Sequence, residues 1–259
     1  MPTTRIALLR SAGQCVGTAF VVAHGLAVTA AHVVRDAQPS INAGPGATIS
    51  GKLIFPNEHL ISQFSVVENG WYPPVDSISR SPNQIADIAL LKFDIPRDAM
   101  CTVRVAHLAR TPLLGNILTV TGFVARRSLT GTDFSTETIR ARLEKVTEVN
   151  GWLRASPKNP NTDAGLPGLS GSPAYSERTK LVHGMFAQGQ ESGRGRWLLI
   201  PSTIIQHILL DAAKRKEIHR PMAKATLRTN SSRLFPKTGR SIDFKRGPAL
   251  VVRGWRRVT

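Results

Sequence analysis

The sequence predicts an all-β protein, of barrel or sandwich type, that ends in one long helix. Ten short β-rich runs dominate the first 200 positions, and turn residues separate them. Many short strands divided by turns that contain Gly and Pro are typical of barrels and sandwiches. The runs are residues 6–9, 17–22, 26–29, 48–55, 88–93, 117–122, 138–149, 172–175, 181–187 and 196–200, and the loops lie near 44–46, 73–74 and 157–167.

One long helix follows the last predicted strand. The segment Pro201-Ser202-Thr203 is typical of a helix start, and apolar residues then recur on one face as far as about Lys216. This stripe consists of Ile204, Ile205, Ile208 and Leu209. We therefore predict a folded domain over residues 1–213 and a basic extension over residues 214–259.

The composition is that of an ordinary globular protein. The chain has 259 residues, of which 41% are hydrophobic and 20% are charged, so it can bury a substantial core. These values exclude a disordered chain, a collagen-like fibre and a small disulfide-stabilised scaffold. Cys15 and Cys101 are predicted to be buried thiols rather than a bridge, because nothing else in the sequence indicates secretion.

The positive charge is concentrated at the C-terminal end. The chain carries 34 Lys and Arg against 17 Asp and Glu, and residues 214–259 hold 14 of the former and 2 of the latter. A basic arm on a body of nearly ordinary charge indicates contact with an anionic partner. Nucleic acid, an acidic protein and a membrane surface all fit, and so does a basic extension that is merely solvated.

The last residues of this arm allow two modes of binding. Trp255 lies among Arg253, Arg256 and Arg257, a pattern that suits stacking on a base of a nucleic acid. The apolar run 249–252 could instead add a strand to the body or to a partner. No groove-reading helix or RNA-binding fold is visible, so docking to a regulatory protein ranks ahead of direct nucleic-acid binding.

No membrane span or export signal is predicted. The longest apolar stretch, residues 19–34, is shorter than the ~18 to 20 residues of a spanning helix and includes His24 and His32. Its start also shows the period-two spacing of a strand, with Val16, Thr18, Phe20 and Val22 two positions apart. We therefore reject a cleaved signal peptide and expect a cytoplasmic protein that does not contact the membrane through a span.

Three short motifs carry the chemistry. His32 follows an apolar pair of strands, Asp87 heads a strand that is apolar over most of its length, and Ser170 lies between glycines just before another strand. Alone, a histidine in such a place is most often structural and an aspartate is most often a turn residue. The serine motif, Gly168-Leu169-Ser170-Gly171-Ser172-Pro173, is the strongest, because glycines allow a tight turn whose amides lie beside the hydroxyl.

Together the three motifs predict a serine hydrolase. Serine is a weak nucleophile at neutral pH and needs a base, and that base needs a carboxylate to fix its tautomer. His32, Asp87 and Ser170 can supply these roles. They occur in the order His, Asp, Ser, at separations of 55 and 83 positions, which is the order of chymotrypsin-like enzymes and not that of α/β-hydrolases or subtilisins.

With these motifs the sequence resembles the trypsin-like (chymotrypsin-fold) serine peptidases, particularly the compact bacterial branch that includes the high-temperature-requirement proteases. The resemblance covers about residues 14–212 and rests on the segments 17–20, 29–32, 87–91, 168–173, 183–185 and 199–201. It implies two six-stranded antiparallel β-barrels, with the active site in the cleft between them and a C-terminal helix behind. It also implies an oxyanion hole formed by the backbone N–H groups of Gly168 and Ser170.

One departure from the family concerns activation. In many secreted members an Asp precedes the nucleophile and pairs with a freshly cut amino terminus, whereas Leu169 occupies that place here. A new terminus at the Arg5–Ile6 junction would find no carboxylate beside Ser170. We therefore expect activity that does not require this cleavage.

The resemblance also places the substrate pocket. Its floor is expected at Ala164 and its walls at Ala187, Gln188 and Gly189. A preference for Arg or Lys needs a buried carboxylate to pair with the cation, and only the neighbouring Asp163 could shift to supply one. We therefore predict a small or medium apolar P1 residue.

The resulting prediction is a serine endopeptidase that acts on protein or peptide substrates without a cofactor. No metal site is expected, because the remaining histidines show no paired metal spacing and the two cysteines lie far apart. A free endopeptidase endangers its host, so we expect narrow specificity and regulation; bacterial stress or defence systems use such proteases, by analogy only. The alternative is a non-catalytic scaffold that binds protein or nucleic acid, although a scaffold has no need of all three triad residue types.

Overall fold

The computed structural model describes residues 3–9, 14–38, 44–54, 59–73, 87–95, 102–127, 132–146, 151–158, 166–189 and 197–215. These residues form twelve β-strands, arranged as two closed barrels, and two α-helices. The basic arm beyond residue 215 lies outside the described residues, as do Cys101, Asp163 and Ala164.

Six antiparallel strands build the first barrel, which closes in the order β1-β2-β3-β6-β5-β4. They are β1 (Arg5–Leu9), β2 (Cys15–Ala23), β3 (Leu26–Thr29), β4 (Thr48–Ile54), β5 (His59–Tyr72) and β6 (Ile88–Phe93), with helix α1 (Ala31–Ala37) between β3 and β4. Large apolar side chains fill the interior, and the rings of Phe64 and Phe93 pack with centroids 5.3 Å apart. The same cluster of buried side chains continues into strands of the second barrel and into the C-terminal helix.

Six further antiparallel strands build the second barrel, which closes in the order β10-β11-β12-β9-β8-β7. They are β7 (Ile117–Arg127), β8 (Thr132–Val146), β9 (Leu153–Pro157), β10 (Pro173–Ser176), β11 (Leu181–Gly189) and β12 (Trp197–Pro201). Trp197 is buried and meets Phe186 edge-on, with centroids 5.0 Å apart. This edge-to-face geometry is favourable for aromatic pairs.

Two cation–π contacts join the outer face of β1 and β4 to the hairpin of β7 and β8. The guanidinium carbon of Arg5 lies 5.9 Å from the centroid of Phe123, and Nζ of Lys52 lies 5.5 Å from that of Phe134. Partial burial lowers the pKa of Arg5 from its ordinary value. These contacts help to set the two barrels, and hence the residues between them, in one arrangement.

Helix α2 (Ser202–Lys214) follows β12 directly and contacts β5 of the first barrel and β11 and β12 of the second. Its start is fixed by Ser202, whose hydroxyl donates to the carbonyl of Ala109 at 2.6 Å. Of the predicted apolar stripe, Ile205, Ile208 and Leu209 are buried and Ile204 is half-buried. No helix among the described residues is both long and apolar enough to span a membrane.

The predicted all-β fold with two barrels and a C-terminal helix is confirmed. All ten predicted strands correspond to observed strands, although the predicted ends at 55, 147–149 and 196 lie outside the described residues. Strands β5 and β9 and the short helix α1 were not predicted from the sequence. Without β5 the first barrel would have five strands, and without β9 the second barrel would have five.

Candidate active site

His32 and Asp87 meet at one end of the neighbouring strands β3 and β6. Oδ2 of Asp87 lies 2.8 Å from Nδ1 of His32, and Oδ1 lies 3.0 Å from the same nitrogen. Oδ1 also accepts the backbone N–H of His32 at 2.9 Å. The carboxylate therefore holds both the ring and the main chain of the histidine.

The local sequence explains why the aspartate takes this position. Helix α1 starts after Ala30, which has no side-chain acceptor for the unpaired N–H groups of the first turn. Asp87 supplies that acceptor from outside the helix, and its own N–H donates to the carbonyl of Pro73 at 3.0 Å. Asp87 adopts a φ of 58°, a left-handed conformation that aspartate tolerates better than most residues.

This contact determines which ring nitrogen of His32 carries the proton. An ionised carboxylate can only accept, so Nδ1 is the donor and Nε2 keeps its lone pair. The carboxyl side chain is 10% exposed and the imidazole is 24% exposed. A partly open imidazole with a lone pair on Nε2 can act as a general base.

Ser170 lies in two consecutive turns between β9 and β10. In the first turn the N–H of Leu169 donates to the carbonyl of Leu166 at 3.3 Å, and Gly168 has a φ of 100°. In the second, the N–H of Ser172 donates to the carbonyl of Leu169 at 2.9 Å. A positive φ at the third position is the requirement of a type II turn, and it explains the glycine there.

Most backbone groups around Ser170 are hydrogen-bonded. The hydroxyl of Thr18 donates to the carbonyl of Gly168 at 2.9 Å, and the N–H of Thr18 donates to the carbonyl of Ser170 at 2.8 Å. The N–H of Gly171 donates to the carbonyl of Phe186 at 2.7 Å. Within the described part of the chain, the N–H groups of Gly168 and Ser170 have no acceptor. Among the described residues, these two donors beside the serine are thus available to another oxygen.

The hydroxyl of Ser170 donates to the carbonyl of Ala187 at 3.1 Å. No hydrogen bond joins Ser170 to His32 in the residues that the structure describes. Thr18 of β2 links the two segments. Its carbonyl accepts the hydroxyl of Thr29, three positions before His32, at 2.7 Å, and its N–H donates to the carbonyl of Ser170. The structure thus brings the histidine and the aspartate into contact and holds residues 166–172, here called the serine loop, against β2.

A model of the trypsin-like peptidase domain matches residues 17–185, more than half of the chain. The chain belongs to the trypsin-like peptidase family. It is a serine endopeptidase of the chymotrypsin fold, and its substrates are peptides or proteins. The matched segment begins in β2, ends in β11 and contains His32, Asp87 and Ser170.

Solved structures of proteases share this fold. The active form of the Rv3671c protease of M. tuberculosis is similar with a TM-score of 0.50 and 15% identity, over 81% of this chain and 79% of that one. Mouse neuropsin, a serine protease expressed in the limbic system of the brain, is similar with a TM-score of 0.56 and 14% identity, over 80% of this chain and 93% of that one. No curated protein sequence matched the peptidase.

The predicted pocket residues of the peptidase fall at the end of β11. Ala187 is buried and lies at an irregularity in the pairing of β11 with β12, between Phe186 and Gln188. Gln188 is exposed. Gly189 is the last residue of the strand, and the predicted floor at Ala164 lies outside the described residues.

Two further titratable groups of the peptidase are buried away from His32. Burial lowers the pKa of His183 from 6.5 to about 4, and Nε2 of this residue lies 2.9 Å from the hydroxyl oxygen of Thr179. Burial raises the pKa of Cys15 to about 11; this residue is a free thiol, as predicted. Such a thiol is a poor nucleophile. The described residues contain no cluster of three His, Cys, Asp or Glu side chains that could hold a metal ion.

Sequence analysis did not assign a role to Thr18 or Thr29. Both are fully buried and bond to backbone at the base of the serine loop. Thr18 belongs to the segment 17–20 that carries the family resemblance, so its motif was visible but its contacts were not. Gly122 was also given no role from the sequence, although a Cβ there would lie 1.9 Å from Oγ of Ser172.

Proposed function

We propose that this trypsin-like peptidase cleaves peptide bonds with Ser170 as nucleophile, His32 as base and Asp87 as the group that orients His32. The observation that carries the proposal is the 2.8 Å contact between Oδ2 of Asp87 and Nδ1 of His32. That contact leaves the Nε2 lone pair as a base, and a serine hydroxyl requires such a base at neutral pH.

In the first step the hydroxyl of Ser170 turns from Ala187 to Nε2 of His32. Its oxygen then bonds to the carbonyl carbon of the substrate while its proton passes to His32. The carbonyl oxygen becomes an oxyanion, which accepts the N–H groups of Gly168 and Ser170. Both groups have no acceptor among the described residues, and this favours them for the role.

The second half of the reaction reverses the proton path. His32 protonates the leaving amine, the C–N bond breaks and an ester of Ser170 remains. Water then gives a proton to His32 and attacks the ester carbonyl. As the C–O bond to Ser170 breaks and the acid product leaves, His32 returns that proton to the serine oxygen, which restores the hydroxyl. Asp87 stays ionised and stabilises the imidazolium in both halves.

The carbonyl of Ala187 is a candidate acceptor for the substrate backbone. It accepts the Ser170 hydroxyl in this structure, and it becomes free when that hydroxyl turns to His32. A peptide that lies along the end of β11 could then donate an N–H group to it, as in other recognition by strand addition. Release of the Ser170 hydroxyl from the carbonyl of Ala187 and binding of the peptide to that carbonyl would then occur together.

We propose that the peptidase prefers substrates with a small or medium apolar residue at P1. The proposal rests on the family resemblance, which puts Ala164 at the pocket floor and Ala187, Gln188 and Gly189 along its walls. Cleavage of a random peptide library followed by mass spectrometry tests it. Enrichment of Ala, Val or Leu at P1 supports this pocket, whereas cleavage confined to Arg and Lys would assign the floor to Asp163.

Labelling with a fluorophosphonate tests the triad directly. We expect the wild-type peptidase to be labelled, and Ser170→Ala and His32→Ala to be unlabelled although folded. Ser62→Ala is a matched control, because this partly exposed serine lies on β5 and its hydroxyl donates to the carbonyl of Gln63. Equal labelling of Ser170→Ala and the wild type would overturn the assignment, and an unlabelled wild type would favour a binding scaffold.

We keep the basic arm as a proposed docking segment of the peptidase. The support is its charge, 14 Lys and Arg against 2 Asp and Glu over residues 214–259. Retention on a nucleic-acid column over a salt series, for the full chain and for a chain that ends at Ile218, separates the two partner classes. A steep loss of retention with salt that requires the arm indicates nucleic acid, and equal weak retention of both chains leaves a protein partner or a solvated extension.

A further inference from the structure

Thr18 contacts the serine loop with its side chain as well as its backbone. The residue lies in β2 of the first barrel and is fully buried. Its hydroxyl donates to the carbonyl of Gly168 at 2.9 Å and accepts the N–H of Phe123, in β7, at 2.9 Å. One hydroxyl of the first barrel thus joins the serine loop to a strand of the second.

Chemistry fixes the direction of both hydrogen bonds. The N–H of Phe123 can only donate, so the oxygen of Thr18 accepts there. The single proton of the hydroxyl is then directed to the carbonyl of Gly168. Neither role can be exchanged without leaving a buried polar group of the backbone unpaired, which is costly.

This hydrogen bond fixes the plane of the peptide between Gly168 and Leu169. Its carbonyl faces the hydroxyl of Thr18, and its N–H faces the carbonyl of Leu166 at 3.3 Å. The two N–H groups of the proposed oxyanion hole belong to the peptides on either side. Rotation of the fixed plane would change the backbone dihedrals next to both donors, and the hole would lose its geometry.

Close packing supports the same arrangement. A Cβ on Gly168 would lie 2.2 Å from the carbonyl oxygen of Phe123, and a Cβ on Gly171 would lie 1.8 Å from that of Thr18. A Cβ on Gly122 would lie 2.7 Å from Oγ1 of Thr18. Three glycines therefore allow the loop and β7 to approach this hydroxyl at hydrogen-bond distance.

The neighbouring side chain of the loop supplies no polar anchor. Leu169 is fully buried and packs in the apolar core of the second barrel. An apolar side chain cannot bind the ammonium of a new amino terminus. The hydrogen bond that attaches the Gly168–Leu169 peptide to the first barrel comes from the hydroxyl of Thr18.

We propose that Thr18, in the first barrel, is a positioning residue. Its hydroxyl holds the serine loop of the second barrel in its working conformation. The kinetic part of this inference rests on the proposed function, since it assumes that the loop forms the oxyanion hole. The effect on loop order does not depend on any activity. The two parts are therefore tested by separate measurements.

The kinetic test compares Thr18→Val, which keeps the shape of the side chain without the hydroxyl, with Thr18→Ser, which keeps the hydroxyl. We expect kcat of Thr18→Val to fall by roughly 10²-fold with little change in KM, because misplacement by about 1 Å can have that effect. Thr18→Ser should stay close to the wild type. Thr121→Val is the matched control, because this buried threonine bonds to the hydroxyl of Thr138 instead.

The structural test measures amide hydrogen exchange in the same variants on a Ser170→Ala background, where no turnover occurs. We expect faster exchange at Leu169 in Thr18→Val only, because its bond to Leu166 depends on the fixed peptide plane. The N–H of Phe186, which donates to the carbonyl of Ser172 at 2.8 Å, reports whether the barrel as a whole has loosened. It should exchange equally in all variants.

The outcomes separate the two proposals. Unchanged exchange at Leu169 in Thr18→Val overturns the inference, whatever the activity. Faster exchange at Leu169 together with an unlabelled wild type supports the role of Thr18 in the loop and overturns the proposed function. A fall of kcat in Thr121→Val as large as in Thr18→Val would show a general effect of lost hydroxyls and would also overturn the inference.

Discussion

The hydroxyl of Ser170 donates to the carbonyl of Ala187, at 3.1 Å, and in this structure it bonds to the strand beside the site instead of to His32. Ala187 lies where the pairing of β11 with β12 is irregular, so its carbonyl is available outside the regular ladder. A rotation about χ1 of the serine, between staggered positions, redirects the hydroxyl.

Replacement of Asp87 by Asn should lower kcat by about 10⁴-fold at neutral pH, because an amide can favour the tautomer of His32 that carries its proton on Nε2. Steady-state hydrolysis of a peptide substrate measures the change. Asp36→Asn, on the exposed side of the same helix α1, is the control and should keep the wild-type kcat. A loss below tenfold in Asp87→Asn would contradict the orienting role.

The chain should be active without cleavage near its amino terminus. Arg5 and Ile6 lie inside β1, where they pair with Phe20 and Ala19 on one side and with Ile54 and Leu53 on the other. Ile6 is fully buried, so the bond between them is poorly accessible to a protease. We expect fluorophosphonate labelling of protein whose intact mass includes residues 1–5. Labelling found only on a shortened species would show the opposite.

Stability should decrease as the pH falls from about 6.5 to about 4, because His183 is buried as the neutral imidazole. Its pKa is about 4 in the folded state against an ordinary 6.5, so the unfolded chain binds a proton that the folded chain excludes in that interval. The loss is about 3 kcal/mol at the lower end. Urea denaturation at several pH values measures it.

Variants of two histidines isolate this effect. His183→Gln should reduce the pH dependence between 6.5 and 4, although it also changes stability at neutral pH. His24→Gln, at an exposed turn, should retain the wild-type dependence because His183 is intact. An identical dependence in His183→Gln and the wild type would assign the loss to other groups.

An alanine at position 122 should weaken both the fold and the site. The new Cβ would lie 1.9 Å from Oγ of Ser172 and 2.7 Å from Oγ1 of Thr18, and overpacking of this kind costs about 1 to 3 kcal/mol. Gly115→Ala has open space around its Cβ, so only its left-handed backbone, with φ 77°, adds a cost of about 1 kcal/mol.

The rate of fluorophosphonate labelling separates the two glycine variants. Gly122→Ala should be labelled more slowly than the wild type, since the displaced hydroxyl of Thr18 also moves the serine loop. Gly115→Ala should be labelled at the wild-type rate. Labelling of Gly122→Ala at the wild-type rate would mean that the loop does not depend on packing at position 122.

The strands that could be predicted best are those with an uninterrupted apolar run. β3 and β6 match the predicted bounds because all their residues except Lys92 are buried and turn residues flank them. β5 was missed since Glu68-Asn69-Gly70 interrupts its pattern, and its pairing with β6 shifts register between Val66 and Trp71. The periodicity of a single strand does not reveal such a shift.

Two other elements were too short or too weak in propensity to be recognised. β9 has only five residues, and it alternates buried and half-buried positions with Ala, Ser and Pro, which are poor strand formers. Helix α1 has seven residues, so an apolar stripe with a period of 3.6 is repeated only once. Both are stabilised by tertiary contacts rather than by their own sequence.

The sequence predicts which residues form the candidate site, but not the contacts that those residues make. Residue types and their order along the chain point to His32, Asp87 and Ser170, because the chemistry of serine hydrolysis requires those groups. The hydrogen bond between Ser170 and Ala187 and the role of Thr18 depend on how distant strands come together. Thr18 and Gly168 are 150 positions apart, and no local pattern encodes their meeting.

The same separation has a consequence for the cell that makes the protein. β2 leaves the ribosome early, while the loop that it anchors is synthesised only after most of both barrels. Because Thr18 and the proposed base lie in one barrel and the proposed nucleophile in the other, a chain that stops before β10 cannot assemble the proposed site. Under the proposed mechanism the site is complete only once synthesis has passed β10 and the barrels have joined, so the order of translation would protect the growing polypeptide from its own chemistry.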